Sequence, residues 1–182
     1  MKKEIIFGLV LSVIFMIPSA CGEGNDENPV EERPYLQLSN GNKVPINVQY
    51  IRTAYFPDVE YPLPFKITFV SSTGELEQYY EKNRQLIYDG HDGSLMPDED
   101  FLNAIEQYFD DYFTDNFLVI VGLTENSGSI EHKVERVDEN GDIVIKKLSL
   151  EGAGTPEMST WSIVIEINNN FKREQYQVVL AN

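Results

Sequence analysis

The chain has 182 residues and a net charge of −16, with 42% hydrophobic and 24% charged residues. That length leaves room for one domain with a real core after a leader is subtracted, and the composition excludes a wholly disordered chain. Such acidity excludes phosphate-led nucleic-acid binding and attachment to anionic headgroups through a basic patch, because both require clustered Lys and Arg.

The first twenty residues read as a secretory leader. Lys2 and Lys3 form a basic start, and Ile5 to Ile17 is a continuous apolar run. That run is shorter than the roughly 20 residues a transmembrane helix needs. Pro18 breaks it, and Ser19 and Ala20 precede Cys21, the single cysteine. One cysteine forms no internal disulfide and falls short of a structural zinc set. Residues 21–33 are rich in Gly, Asn, Glu and Pro and read as a flexible acidic tether. With Lys2, Lys3 and Glu4 removed, the remainder keeps 12 of the 14 basic and 29 of the 30 acidic residues, a net charge of −17.

Residues 34–182 are expected to form one domain. Leu36 and Leu38 alternate with polar residues up to Asn40-Gly41, a two-residue hairpin signal. Val44, Ile46, Val48 and Tyr50 continue the alternation, and Pro45 places its segment at a sheet edge. The proline-rich 56–65 reads as a loop. Residues 65–70, FKITFV, form a strand. Ser72 and Glu75 have capping-box spacing ahead of a helix on which Leu76, Tyr79, Tyr80 and Asn83 share a face. Residues 98–112 show the same period, with Phe101, Ile105, Tyr108 and Tyr112 in line, Leu102 and Phe109 beside them, and Asp98 as the cap.

Strands dominate from there. Residues 117–123, FLVIVGL, are apolar on both faces, as a central strand requires. Two strands flank Asn140-Gly141, a second hairpin signal. In 161–168, Trp161, Ile163, Ile165 and Ile167 point one way and Ser162, Val164, Glu166 and Asn168 the other. Residues 175–180 supply the last strand. Short turns between successive strands give an α+β fold: a mostly antiparallel, curved sheet with one or two packed helices.

Two places invite chemistry. The acidic loop 89–100 offers Asp89, Asp92 and Asp98 as candidate Ca²⁺ ligands, although counting from Asp89 puts His91 third and Ser94 sixth, against the EF-hand pattern. Its simpler reading is a solvated loop that enters a helix cap. Residues 125–132, ENSGSIEH, hold two serines and His132, from which a small secreted hydrolase using His132 or His91 can be imagined. A triad needs Ser, His and a carboxylate converging in space, and no Gly-x-Ser-x-Gly elbow is present. On a strand His132 shares a face with Ile130 and Val134, which favours a half-buried structural histidine with satisfied ring nitrogens. P-loop, dinucleotide, HExxH and CxxC motifs are absent, and no cofactor is implied.

Two resemblances complete the reading. Small residues before Cys21 at the end of an apolar run resemble a bacterial lipobox, with Pro18 where the signal usually has Leu. That implies diacylglyceryl transfer to the Cys21 thiol, cleavage before it, and an extracytoplasmic protein anchored to the membrane by lipid. The pattern FLVIVGL, ENSGS, ERVDENGDIVI, EGAGTPEMST and WSIVIEI, within residues 109–180, resembles the PrcB C-terminal domain family, and FVSSTGELEQYYEKN resembles the upstream segment of clostridial lipoproteins that carry such domains. The resemblance implies a non-catalytic accessory domain that binds an unidentified protein partner or peptide. It carries over no catalytic residues.

Overall fold

The computed structural model describes residues 33–54, 65–83, 88–89, 96–97, 99–127, 129–149 and 159–181. The leader, Cys21, the tether up to Glu32, the loop 56–64, His91, Asp92, Asp98 and residues 150–158 lie outside them.

Among the described residues, nine strands form two sheets. The five-stranded sheet runs β11 (Gln177–Ala181), β9 (Asp142–Ser149), β8 (Ile130–Asp138), β1 (Tyr35–Gln37), β2 (Lys43–Pro45). The four-stranded sheet runs β3 (Val48–Ala54), β10 (Ser159–Asn168), β7 (Asn116–Glu125), β4 (Lys66–Val70). A short ladder pairs β5 (Tyr88–Asp89) with β6 (Met96–Pro97). The helices are α1 (Thr73–Asn83), α2 (Glu99–Ile105) and α3 (Asp110–Asp115). The α+β expectation holds, and antiparallel pairs predominate. Two long-range pairs, β1 with β8 and β11 with β9, are parallel.

The alternation in β10 and β7 explains the layering. Trp161, Ile163, Ile165 and Ile167 of β10 join Phe117, Val119, Val121 and Leu123 of β7 on one face. They pack against Leu36, Val134, Val137, Ile143 and Ile145 of the other sheet, so this core lies between the sheets. Each fully buried aliphatic side chain contributes about 1.5–3 kcal/mol. The opposite face offers Leu118, Ile120 and Val164, which pack with Val70 against Leu76, Tyr79, Phe101 and Phe113 of the helices. The four-stranded sheet is therefore the middle layer, covered on both sides. This is why β7 is apolar on both faces from Phe117 to Leu123.

Both glycine turns form as expected. Gly41 and Gly141 are the two described residues with positive φ, +86° and +97°, at the β1–β2 and β8–β9 hairpins. The strand with Pro45 is the sheet edge. The alternation that continues past Pro45 conceals a change of sheet, since β2 and β3 belong to different sheets. A bulge at Glu135 lets both Val134 and Val137 face the core, and the Val134 N–H donates to the Tyr50 hydroxyl at 2.8 Å.

Ser72 caps α1: its Oγ accepts from the Glu75 N–H at 3.2 Å, and the Glu75 carboxylate accepts from the Ser71 N–H at 2.7 Å. The single helix expected over 98–112 is instead two. α2 ends at Ile105, and α3 restarts after Phe109, which has extended backbone. Asp110 and Asp111 suit the first turn of a new helix better than a helix interior.

Candidate functional site

The inward-facing residues of the sandwich end in a polar cluster. The parity that points Leu123 and Trp161 inward also points Glu125 and Ser159 inward, and these two face each other in register. Across the gap, His132 shares the inward parity of Val134 and stands opposite Lys147 in register. His132 Nε2 lies 2.9 Å from Glu125 Oε1, and Lys147 Nζ lies 2.6 Å from the same oxygen. One carboxylate thus ties β7 of one sheet to β8 and β9 of the other. The Trp161 ring meets the imidazole edge-on, with centroids 5.3 Å apart.

The His132 side chain is 0% exposed and that of Glu125 is 7% exposed. Burial, the largest influence, pushes the His132 pKa below its usual value. Glu125 opposes that shift, and the Lys147 charge adds to it. The neutral ring is then favoured, with Nε2–H donating to Glu125. Nδ1 is left as an acceptor, and it has no hydrogen-bond partner among the described residues. This differs from the expectation of a half-buried ring with both nitrogens satisfied: the ring is fully buried and only Nε2 is paired.

The arrangement is a base and its orienting carboxylate, and among the described residues no serine hydroxyl is hydrogen-bonded to the imidazole. The hydroxyls of Ser127 and Ser129 bond to each other at 2.8 Å. Ser159 Oγ has no partner among the described residues. With its ring sealed, His132 is not placed to meet a substrate, and the cluster does structural work in joining the sheets.

Of the other candidates, His91, Asp92, Asp98 and Cys21 lie outside the described residues, and Asp89 is described only as backbone in β5. Among the described residues no three His, Cys, Asp or Glu side chains gather as a metal site. Tyr79 and Tyr80 both stack on Phe101, with centroids at 6.2 and 6.0 Å, so they serve the core. No described helix is long and apolar enough to cross a membrane.

Sequence reasoning singled out His132 but missed its pairing with Glu125 and Lys147. The signal was there: charged residues at inward parity at the ends of strands otherwise lined by Leu, Ile and Val. It also missed the apolar side chains left at the surface. Phe109 is 63% exposed, Phe65 and Phe69 flank and lie on the edge strand β4, and Val179 and Leu180 lie on the edge strand β11. Comparison with family models, with curated proteins and with solved structures returned no match.

Proposed function

We propose that the chain is a bacterial cell-surface lipoprotein, anchored to the membrane through lipid on Cys21, whose folded domain binds a protein partner and catalyses no reaction. The observation that carries this reading is the distribution of side chains: the titratable cluster is sealed inside, and apolar groups are presented outside on open sheet edges. Among the described residues β11 pairs with β9 alone, at the end of its sheet, and its Val179 and Leu180 are exposed. Such an edge accepts another strand unless it is covered. The resemblance to the PrcB C-terminal domain family points the same way, towards an accessory protein. The hydrolase reading has the His132–Glu125 pair in its favour, but an imidazole with no exposed surface has no route to a substrate.

Crosslinking in intact cells, followed by recovery of the chain, tests the binding role. A specific protein adduct is expected. Recovery of none, together with an ester hydrolysis that vanishes in His132→Ala, overturns the reading. Growth with labelled palmitate tests the anchor: label on the wild type and none on Cys21→Ser is expected, and equal labelling removes the lipid attachment.

A further inference from the structure

The break between α2 and α3 builds a groove. Had residues 98–112 stayed one helix, Phe109 would lie near the buried stripe. Instead α2 stops at Ile105, and Phe109, with extended backbone, turns outward and is the most exposed large apolar side chain among the described residues. Between α1 and this corner lies a surface groove of about 390 Å³, within the range of small-ligand and side-chain pockets. Leu76, Leu102, Ile105 and Tyr108 line it, with Phe109 at its rim.

The polar groups at that rim are of one sign. Glu77 and Glu106 line the groove, both exposed and neither ion-paired among the described residues. Residues 99–115 include six acidic residues and no Lys, Arg or His. The outward chain of β8 and β9, in contrast, mixes both signs, with Lys133, Arg136 and Lys146 among its carboxylates. The negative charge of this segment therefore borders a groove with an apolar lining.

The groove is also held in shape. The Thr73 hydroxyl bonds the Asp110 carboxylate at 2.5 Å and pins α1 to α3. Tyr108 is anchored below by Gln49 Nε2 at 2.5 Å and Glu166 Oε1 at 3.0 Å. A surface that is fixed in this way needs little ordering on binding.

Resting on the partner-binding reading above, we propose that this groove receives a cationic amphipathic segment of the partner protein. Its apolar side chains sit on Leu76, Leu102 and Ile105 against Phe109, and its Lys or Arg residues meet Glu77 and Glu106. The mode is helix-in-groove recognition, in which apolar contact gives affinity and rim charges give selectivity and salt dependence.

The test uses the full chain in nonionic detergent, with detergent alone as the blank, and two labelled peptides of the same helical pattern, one of Leu and Lys, the other of Leu and Glu. Fluorescence anisotropy is expected to show binding of the Leu–Lys peptide and at least tenfold weaker binding of the Leu–Glu peptide. The double variant Glu77→Lys/Glu106→Lys should weaken the first at least tenfold, and Phe109→Ser at least fivefold. Glu131→Lys, a charge reversal of an exposed residue on β8 outside the groove, should leave it unchanged. Each altered residue is exposed, and far-UV circular dichroism checks that the variants fold. No binding above the blank, equal binding of the two peptides, or groove variants that match wild type overturns the assignment. The two readings fail separately. If crosslinking in cells recovers a partner equally from wild type and from Glu77→Lys/Glu106→Lys, the groove is wrong and partner binding stands. If wild type recovers none, partner binding itself fails.

Discussion

His132 on β8 donates its Nε2–H to Glu125 on β7 across 2.9 Å, and this bond joins the two sheets at one end of the sandwich. Removing either end has a different cost from removing Lys147, which shares the same oxygen. Glu125→Ala leaves a buried N–H unsatisfied, a loss of about 1–3 kcal/mol. The Lys147 side chain is 41% exposed and can turn to water, so Lys147→Ala should cost less than about 1 kcal/mol. Urea unfolding of the two variants measures the difference. Equal losses would mean that the carboxylate serves the lysine rather than the histidine.

The same pair sets an acid limit on stability. Burial holds the folded pKa of His132 below its ordinary 6.5. The unfolded chain therefore binds the proton first as pH falls. The stabilisation is complete above about pH 6.5 and declines from there as pH falls towards the folded value. Glu139 and Asp142 act in a separate, lower window. Hydrogen bonds from Ser39 and from Gln177 hold their carboxyls below the ordinary 4.5 and 3.8, so their contributions are lost only on further acidification. Unfolding free energy measured between pH 7 and 5 should fall in wild type and lie nearly flat in His132→Gln. A variant that keeps the full slope would assign it to another group.

Two glycines with nearly the same backbone allow strain and clash to be separated. At Gly41, φ is +86° and a Cβ would meet nothing within 4 Å. At Gly141, φ is +97° and a Cβ would fall 2.3 Å from the carbonyl oxygen of Gln175, in the segment that leads into β11. Gly41→Ala should cost about 1–2 kcal/mol, the left-handed penalty alone. Gly141→Ala adds a backbone clash that has no flexible side chain to yield, and it should cost at least about 2 kcal/mol more. It should also loosen β11, whose Gln177 N–H bonds the Gly141 carbonyl at 3.1 Å. Amide exchange at Val178 and Val179 reads that loosening. Equal melting points for the two variants would exclude the clash.

What the sequence made legible was local. Asn40-Gly41 and Asn140-Gly141 announced their hairpins because only a few residues accept positive φ. Trp161 to Ile167 announced a two-faced strand because the period of two is a property of the backbone. Ser72 and Glu75 announced a helix start. What stayed hidden depended on partners far away in the chain. Alternation says that Leu36 and Val44 are half-buried, but not that the sheet changes between Pro45 and Val48. The parallel pairing of β11 with β9 leaves no signature in either strand. The break before Phe109 was written only in Asp110 and Asp111, against a strong apolar period, and the groove exists because those aspartates prevailed. Glu125 and Lys147 could have been found by asking which charged residues sit at inward parity.

Tyr108 shows how the buried tyrosines set an alkaline limit. Its hydroxyl donates to Glu166 Oε1 at 3.0 Å and accepts from Gln49 Nε2 at 2.5 Å, linking the α2–α3 corner to β10 and β3. Burial first, and then the Glu166 charge, push its pKa far above the ordinary 10, and Tyr112, near the same carboxylate, is raised by the same causes. Burial likewise raises Tyr79, within the helix-side core, and Tyr176. These four should stay protonated in the folded chain at a pH where the unfolded chain ionises them. Their stabilisation is therefore complete below about pH 10 and is lost as pH rises through the folded values. A phenolate absorbance titration should show part of the chain's 10 tyrosines missing near pH 10.5, then a cooperative rise as the protein unfolds. Tyr108→Phe should cost about 1–2 kcal/mol for the lost bonds and remove one tyrosine from the late, cooperative phase only. Loss of signal from the early phase instead would mean that Tyr108 meets solvent and that the groove has no fixed floor.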